Sequence, residues 1–162
     1  MANKDIADGF RPVGEIKQVV VMEAGSAVYP GDPVAVASDG KIDPVAGGST
    51  INGVALTYAS AAGQKVLVSV DPEQIYEVQC DASEVNAQTF IGNNADHALG
   101  TPSTTYKCSR AEIASSTASA AAAGWTIIGL APGVDNAFGA NARLLVRVNE
   151  HQAFGKDAFA GI

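Results

Sequence analysis

A mainly β fold, built as a compact barrel or sandwich, is predicted by three features of this sequence. About nine short runs alternate apolar and polar residues at a period of two, as half-buried strands require. Turn-forming pairs such as Pro30-Gly31, Asp39-Gly40 and Asn52-Gly53 punctuate the runs. Helical spacing is nearly absent, leaving room for at most two short helices.

The densest patterning lies in residues 53–81, where Val54–Tyr58, Lys65–Val70 and Ile75–Cys80 follow one another as a three-stranded meander. Val66, Val68 and Val70 share one face, and Tyr76, Val78 and Cys80 share another. Before the meander, Glu15–Met22 is rich in β-branched residues and reads as a strand. Val34–Ala37 and Lys41–Pro44 form a hairpin about Asp39-Gly40. After the meander, Asp81–Gln88 reads as a helical turn capped by Asp81 or Ser83. Tyr106–Ile113, Trp125–Ala131 and Arg143–Asn149 are further strands, and the Ala/Ser tract 114–124 is a short helix or a loop. The organisation is an N-terminal arm over 1–13, a β domain over 14–150 with possible sub-domains at 14–73 and 74–150, and a C-terminal tail over 151–162. Arm and tail lack periodicity, and Phe10 and Phe154 are their apolar anchors.

Composition narrows the function classes. A net charge of −7 with no cluster of Lys or Arg argues against direct binding of nucleic acid. No apolar run approaches the ~20 residues of a membrane-spanning helix, and MANKDIADGF has no apolar core of a secretory signal. Synthesis in a cytoplasm is expected. Cys80 and Cys108, the two cysteines, are read as free buried thiols. Charged residues are only 17% of the chain, which suits a surface that is covered by neighbours as well as a weakly charged monomer.

Catalytic patterns are missing. The two histidines, His97 and His151, stand beside acidic residues and are read as solvated surface groups. There is no G-x-S-x-G elbow, H-E-x-x-H helix or P-loop. Asp32, Asp39, Asp43 and Asp71 sit at turns, where aspartate commonly bonds its own backbone. No enzyme activity, cofactor or metal is expected. Trp125 lies in an apolar strand and is assigned to the core.

The Pro30-Gly31-Asp32-Pro33-Val34 turn, the following strand with its Asp39-Gly40 hairpin, and Gly53-Val54-Ala55-Leu56 together resemble a tailed-phage capsid decoration protein, also called a cement or head-stabilisation protein. Segments 71–79, 91–96 and 141–152 are similar, in this order, to segments of phage structural proteins, so the resemblance spans most of residues 10–152. It implies a small, tulip-like β-barrel sub-domain with extended terminal arms. It also implies that the protein binds the major capsid protein on the outside of the mature head, across capsomer seams, and braces the shell against packed DNA. A homo-oligomer follows from the shell's symmetry, a trimer first and a dimer second. Synthesis in the bacterial host and residence on the virion exterior are implied as well. The family has no catalytic residues. Phe10, Arg11, Tyr29 and Phe154 are the expected contact residues. The alternative is a non-enzymatic β-barrel that binds a small ligand or carbohydrate, as in host recognition.

Overall fold

The computed structural model describes residues 3–83 and 88–153. It is mainly β: two five-stranded antiparallel sheets and a two-stranded ribbon, with two single-turn 3-10 helices among the described residues. The first sheet is ordered β2 (Val19–Glu23), β6 (Lys65–Ser69), β5 (Gly53–Ala55), β3 (Pro33–Val36), β4 (Ile42–Pro44). Its edges touch at a single parallel bridge, Ala24 with Ile42, so the sheet curls without closing into a barrel. The second sheet is ordered β1 (Arg11–Pro12), β7 (Ile75–Gln79), β12 (Arg143–Val148), β11 (Trp125–Leu130), β8 (Asn94–Ala95). The ribbon pairs β9 (His97–Ala98) with β10 (Glu112–Ile113). The fold has the character of a compact sandwich.

Each sheet has its own core, and β5 is the wall between them. The period-two alternation sends Val54 into the cluster around Trp125, Tyr76 and Leu144, and its neighbour Ala55 into the cluster around Val28, Val66 and Val68. Gly53 has to be glycine: a Cβ there would stand 2.1 Å from the Ser69 carbonyl oxygen. The meander expected over 53–81 is therefore split. β5 and β6 pair, but the chain then crosses over, and β7 joins β1 and β12 in the other sheet. The crossover is pinned by Gln74, whose amide donates to the Val13 and Ile75 carbonyls at 3.0 Å each. The Tyr76 hydroxyl bonds Ser69 Oγ at 3.0 Å and ties the two sheets together again.

Two other expected strands are shorter than their patterns. Val54–Tyr58 stops at Ala55, because the Thr57 hydroxyl takes the Leu67 amide (2.9 Å) that a strand carbonyl would have taken. Of Tyr106–Ile113 only Glu112–Ile113 is strand. Ser103 and Cys108 close a local bridge, with Lys107 in the left-handed region at φ 52. The Ala/Ser tract contributes one 3-10 turn, Ser115–Thr117. The helical turn expected at 81–88 lies partly outside the described residues, though Asp81 does accept the Ser83 amide at 3.2 Å.

Residues 3–13 are not a free arm. Phe10 is 1% exposed and its ring stacks on Trp125, with centroids 4.0 Å apart and planes 16° from parallel. Its amide donates to the Gly31 carbonyl at 3.0 Å, and the following residues pair with β7 through Arg11–Glu77 and Pro12–Tyr76. The close approach depends on Gly9, at φ +77, where a Cβ would fall 2.6 Å from Ser109 Cβ. An aperiodic segment can thus still carry a core residue. Truncating Phe10 to Ala is expected to cost about 3–5 kcal/mol, and deleting residues 1–13 at least as much. Urea denaturation of both variants checks this, and a deletion as stable as the full chain would return these residues to the role of a dispensable arm.

Candidate functional site

The strongest surface feature is built around the turn from Tyr29 to Asp32. Asp32, 4% exposed, accepts the Tyr29 amide on Oδ2 at 2.9 Å, and its own amide donates to the Tyr29 carbonyl at 3.0 Å. The turn is fixed to β5 from both sides, Gly31 N–H to Ala55 O at 2.8 Å and Ala55 N–H to Asp32 O at 2.9 Å. Ser109 N–H donates to the Pro30 carbonyl at 3.0 Å. Burial raises the Asp32 carboxyl above its ordinary range, while bonds from the Ser109 side chain and the Tyr29 amide oppose the rise.

On this platform the rings of Tyr29 and Tyr58 lie 5.1 Å apart at 51°, and Lys107 Nζ stands 5.1 Å over the Tyr58 ring, within cation–π range. Tyr106, next in the chain to Lys107, is 79% exposed. Clefts flank the turn. One of about 330 Å³ is lined by Tyr29, Pro44, Leu99 and Pro102, and another of about 240 Å³ by Arg11, Pro30, Leu56 and Cys108. Tyrosine and arginine are among the residues enriched at protein–protein interfaces.

Of the expected contact residues, Arg11 and Tyr29 line these neighbouring clefts. Arg11 is exposed and ion-paired to Asp8. Phe10 forms part of the floor of the Arg11 cleft but is spent inside the core. Phe154 lies outside the described residues. The sequence reading missed Tyr58 and Lys107: Tyr58 was absorbed into a strand face, and a left-handed lysine leaves no mark in a hydropathy pattern.

The histidines are a correction. Both are buried, at 3% and 2% exposure. His97 Nε2 faces the Val45 carbonyl at 2.6 Å, and its Nδ1 accepts the Trp125 indole N–H at 3.1 Å. That pairing fits only the neutral ring with its proton on Nε2. His151 Nε2 faces the Val70 carbonyl at 3.0 Å. Each ring reaches from the half of the chain holding β7–β12 to a carbonyl of the curled sheet's half. Cys80 is free and buried, which pushes its thiol up to about 11, far from a reactive thiolate. Cys108 is free and half-buried. Among the described residues no group of three or more His, Cys, Asp or Glu is placed to hold a metal ion, and no helix is long and apolar enough to cross a membrane.

Comparison with protein-family models, with curated proteins and with solved structures finds no match. The case for function therefore rests on the surface just described.

Burial lowers the pKa of both histidines from the ordinary 6.5. The unfolded chain consequently takes up protons near pH 6.5 that the folded chain refuses, so stability is full above that pH and declines as pH falls through it. Asp32, Glu112 and Glu150, whose carboxyl pKa values are raised, act in the opposite sense, but in the carboxylate range below. Thermal melts from about pH 8 to about pH 5.5 should show Tm falling below about pH 6.5. A His97→Gln variant should show a shallower fall, and an equal slope in both proteins would contradict the assignment.

Proposed function

We propose that this chain is a non-enzymatic structural protein that coats an assembled protein shell, a decoration or cement protein of a tailed-phage head. The observation that carries the reading is the Tyr29–Tyr58–Lys107 surface, held on a turn that is bonded to β5 on both sides. The groups suited to acid–base chemistry are committed to architecture: His97 and His151 tie the halves together, and Asp32 braces the docking turn. Every buried side-chain nitrogen or oxygen among the described residues has a hydrogen-bond partner. A rigid framework with a small aromatic and cationic docking face suits a brace across subunit seams. Its partner is the major capsid protein on the virion exterior, and the net charge of −7 suits a position away from packed DNA.

A brace of this kind needs a standard interface of about 1,600 Å² in total, or several smaller ones acting together through effective concentration. The carbohydrate-binding alternative draws on the same two tyrosines. It is the weaker reading, because Trp125, the chain's single indole, is fully buried.

Co-sedimentation with phage shells before and after their maturation expansion tests the proposal. Binding to expanded shells is expected, with loss of about tenfold or more in affinity for Tyr58→Ala and for Lys107→Glu and unchanged melting of both variants. Failure to bind any shell form, or retention on a glycan array through Tyr58, would replace the proposal with the alternative. Native-like binding by both variants would remove this face from the account.

A further inference from the structure

We propose that the open edge of β2 joins two copies of this chain, strand to strand, about a two-fold axis through Val20. Among the described residues β2 is the terminal strand of its sheet and pairs only with β6. The phase of that ladder is fixed at both ends: Val70 N–H donates to Gln18 O at 3.0 Å, and Ala24 N–H donates to Gln64 O at 2.8 Å. The even-numbered residues of β2 therefore turn their backbone groups to β6, and Val19 and Val21 turn theirs outward. Natural sheet edges are usually blunted by lysine, proline or a bulge. Here three consecutive valines stand at the edge, 42%, 39% and 59% exposed, with Leu67 opposite Val21 at 39%. β4 covers the edge only from Ala24 onward, through the bridge to Ile42 and the Gly25 N–H to Ile42 O bond of 2.8 Å.

The side chains of this edge select a second β2 as the occupant. Val19-Val20-Val21 reads the same in both directions. An antiparallel second copy with its axis at Val20 sets Val19 against Val21 of the second copy, and symmetry repeats the pair. Each pair exchanges both outward N–H and C=O groups and brings valine against valine on one face. The same register brings Lys17 level with Glu23 of the second copy. Lys17 enters no ion pair among the described residues, and Glu23 already holds Lys41 at 3.0 Å, so the join extends that pair into a chain of alternating charge. Other registers lose this match. An axis at Val19 sets Glu15 against Glu23, and an axis at Val21 sets Val19 against Glu23.

The backbone ladder is limited to those two valine pairs because β4 takes over the edge beyond them. Such a joint buries far less than the roughly 1,600 Å² of a standard interface, so association is expected in the micromolar range. A two-fold contact makes dimers, in place of the trimer that the sequence reading put first. The dimer is a property of the isolated chain, and a failure of shell binding leaves it standing.

Sedimentation of the full chain from about 1 to about 200 μM covers the micromolar range that so small an interface implies. A concentration-dependent monomer–dimer equilibrium is expected; a strict monomer or a trimer overturns the proposal. Val21→Pro removes one outward N–H and no β6 bond, so it should be monomeric with a native circular-dichroism spectrum. Lys17→Glu lies outside the ladder and keeps the assay decisive if the proline disturbs the strand. It should weaken the dimer about tenfold, from two exposed ion pairs turned repulsive, and Lys17→Glu combined with Glu23→Lys and Lys41→Glu, which keeps the pair inside each chain, should restore it. A dimer indifferent to Lys17→Glu, or not restored by the charge swap, overturns this register.

Discussion

The stack of Phe10 on Trp125 is the contact on which the rest of this structure depends. Phe10 arrives on the N-terminal segment, which bonds the Gly31 turn of the curled sheet on one side and pairs with β7 of the second sheet on the other. Its ring lies 4.0 Å from that of Trp125, whose indole N–H is held by His97, whose Nε2 in turn faces Val45. Tyr76 meets Trp125 edge-on at 5.8 Å and passes its hydroxyl to Ser69 in β6. Aromatic pairs of this kind add about 0.5–1.5 kcal/mol beyond the area they bury. Their larger effect here is topological: four residues far apart in sequence bring both sheets to one point.

Rigidity at that point carries outward to the surface. The Gly31 carbonyl that receives Phe10 belongs to the same turn that presents Tyr29, and Gly9 and Gly31 approach too closely for side chains. The proposed docking face is therefore a direct extension of the core, and its tyrosines would lose little freedom on meeting a partner. The acidic residues near the N-terminal segment are also committed. Arg143 reaches Asp8 at 3.2 Å and Glu77 at 3.2 Å, joining the N-terminal segment to β7 and β12.

Where the sequence was legible, a strand period made it so. Val66 and Val68 are fully buried while Leu67 between them is exposed, and Leu144, Val146 and Val148 are inward as their alternation requires. Periodicity names a face but not the core that the face meets: Val68 and Val78 lie in different clusters because the chain crosses at Gln74. Phe10 was illegible for the opposite reason, since a single apolar residue among polar ones has no period at all. His97 and His151 followed composition toward solvent, and only long-range carbonyls at Val45 and Val70 draw them inside. Of the site, Tyr29 was visible beside a proline-glycine turn and Arg11 within the aperiodic N-terminal segment. Tyr58 and Lys107 come to it through tertiary contacts that no local pattern encodes.

If the Phe10–Trp125 stack couples the two sheets, weakening it must loosen both. Hydrogen exchange on Phe10→Leu, compared with the native chain, measures this most directly at the amides of Val28, Gly31 and Ala55 on one side and Ile127 and Ala131 on the other. Protection is expected to fall by the same factor in both groups. Loss confined to one group, with the other at native protection, would mean that the sheets stand independently and that the N-terminal segment is a passenger on one of them.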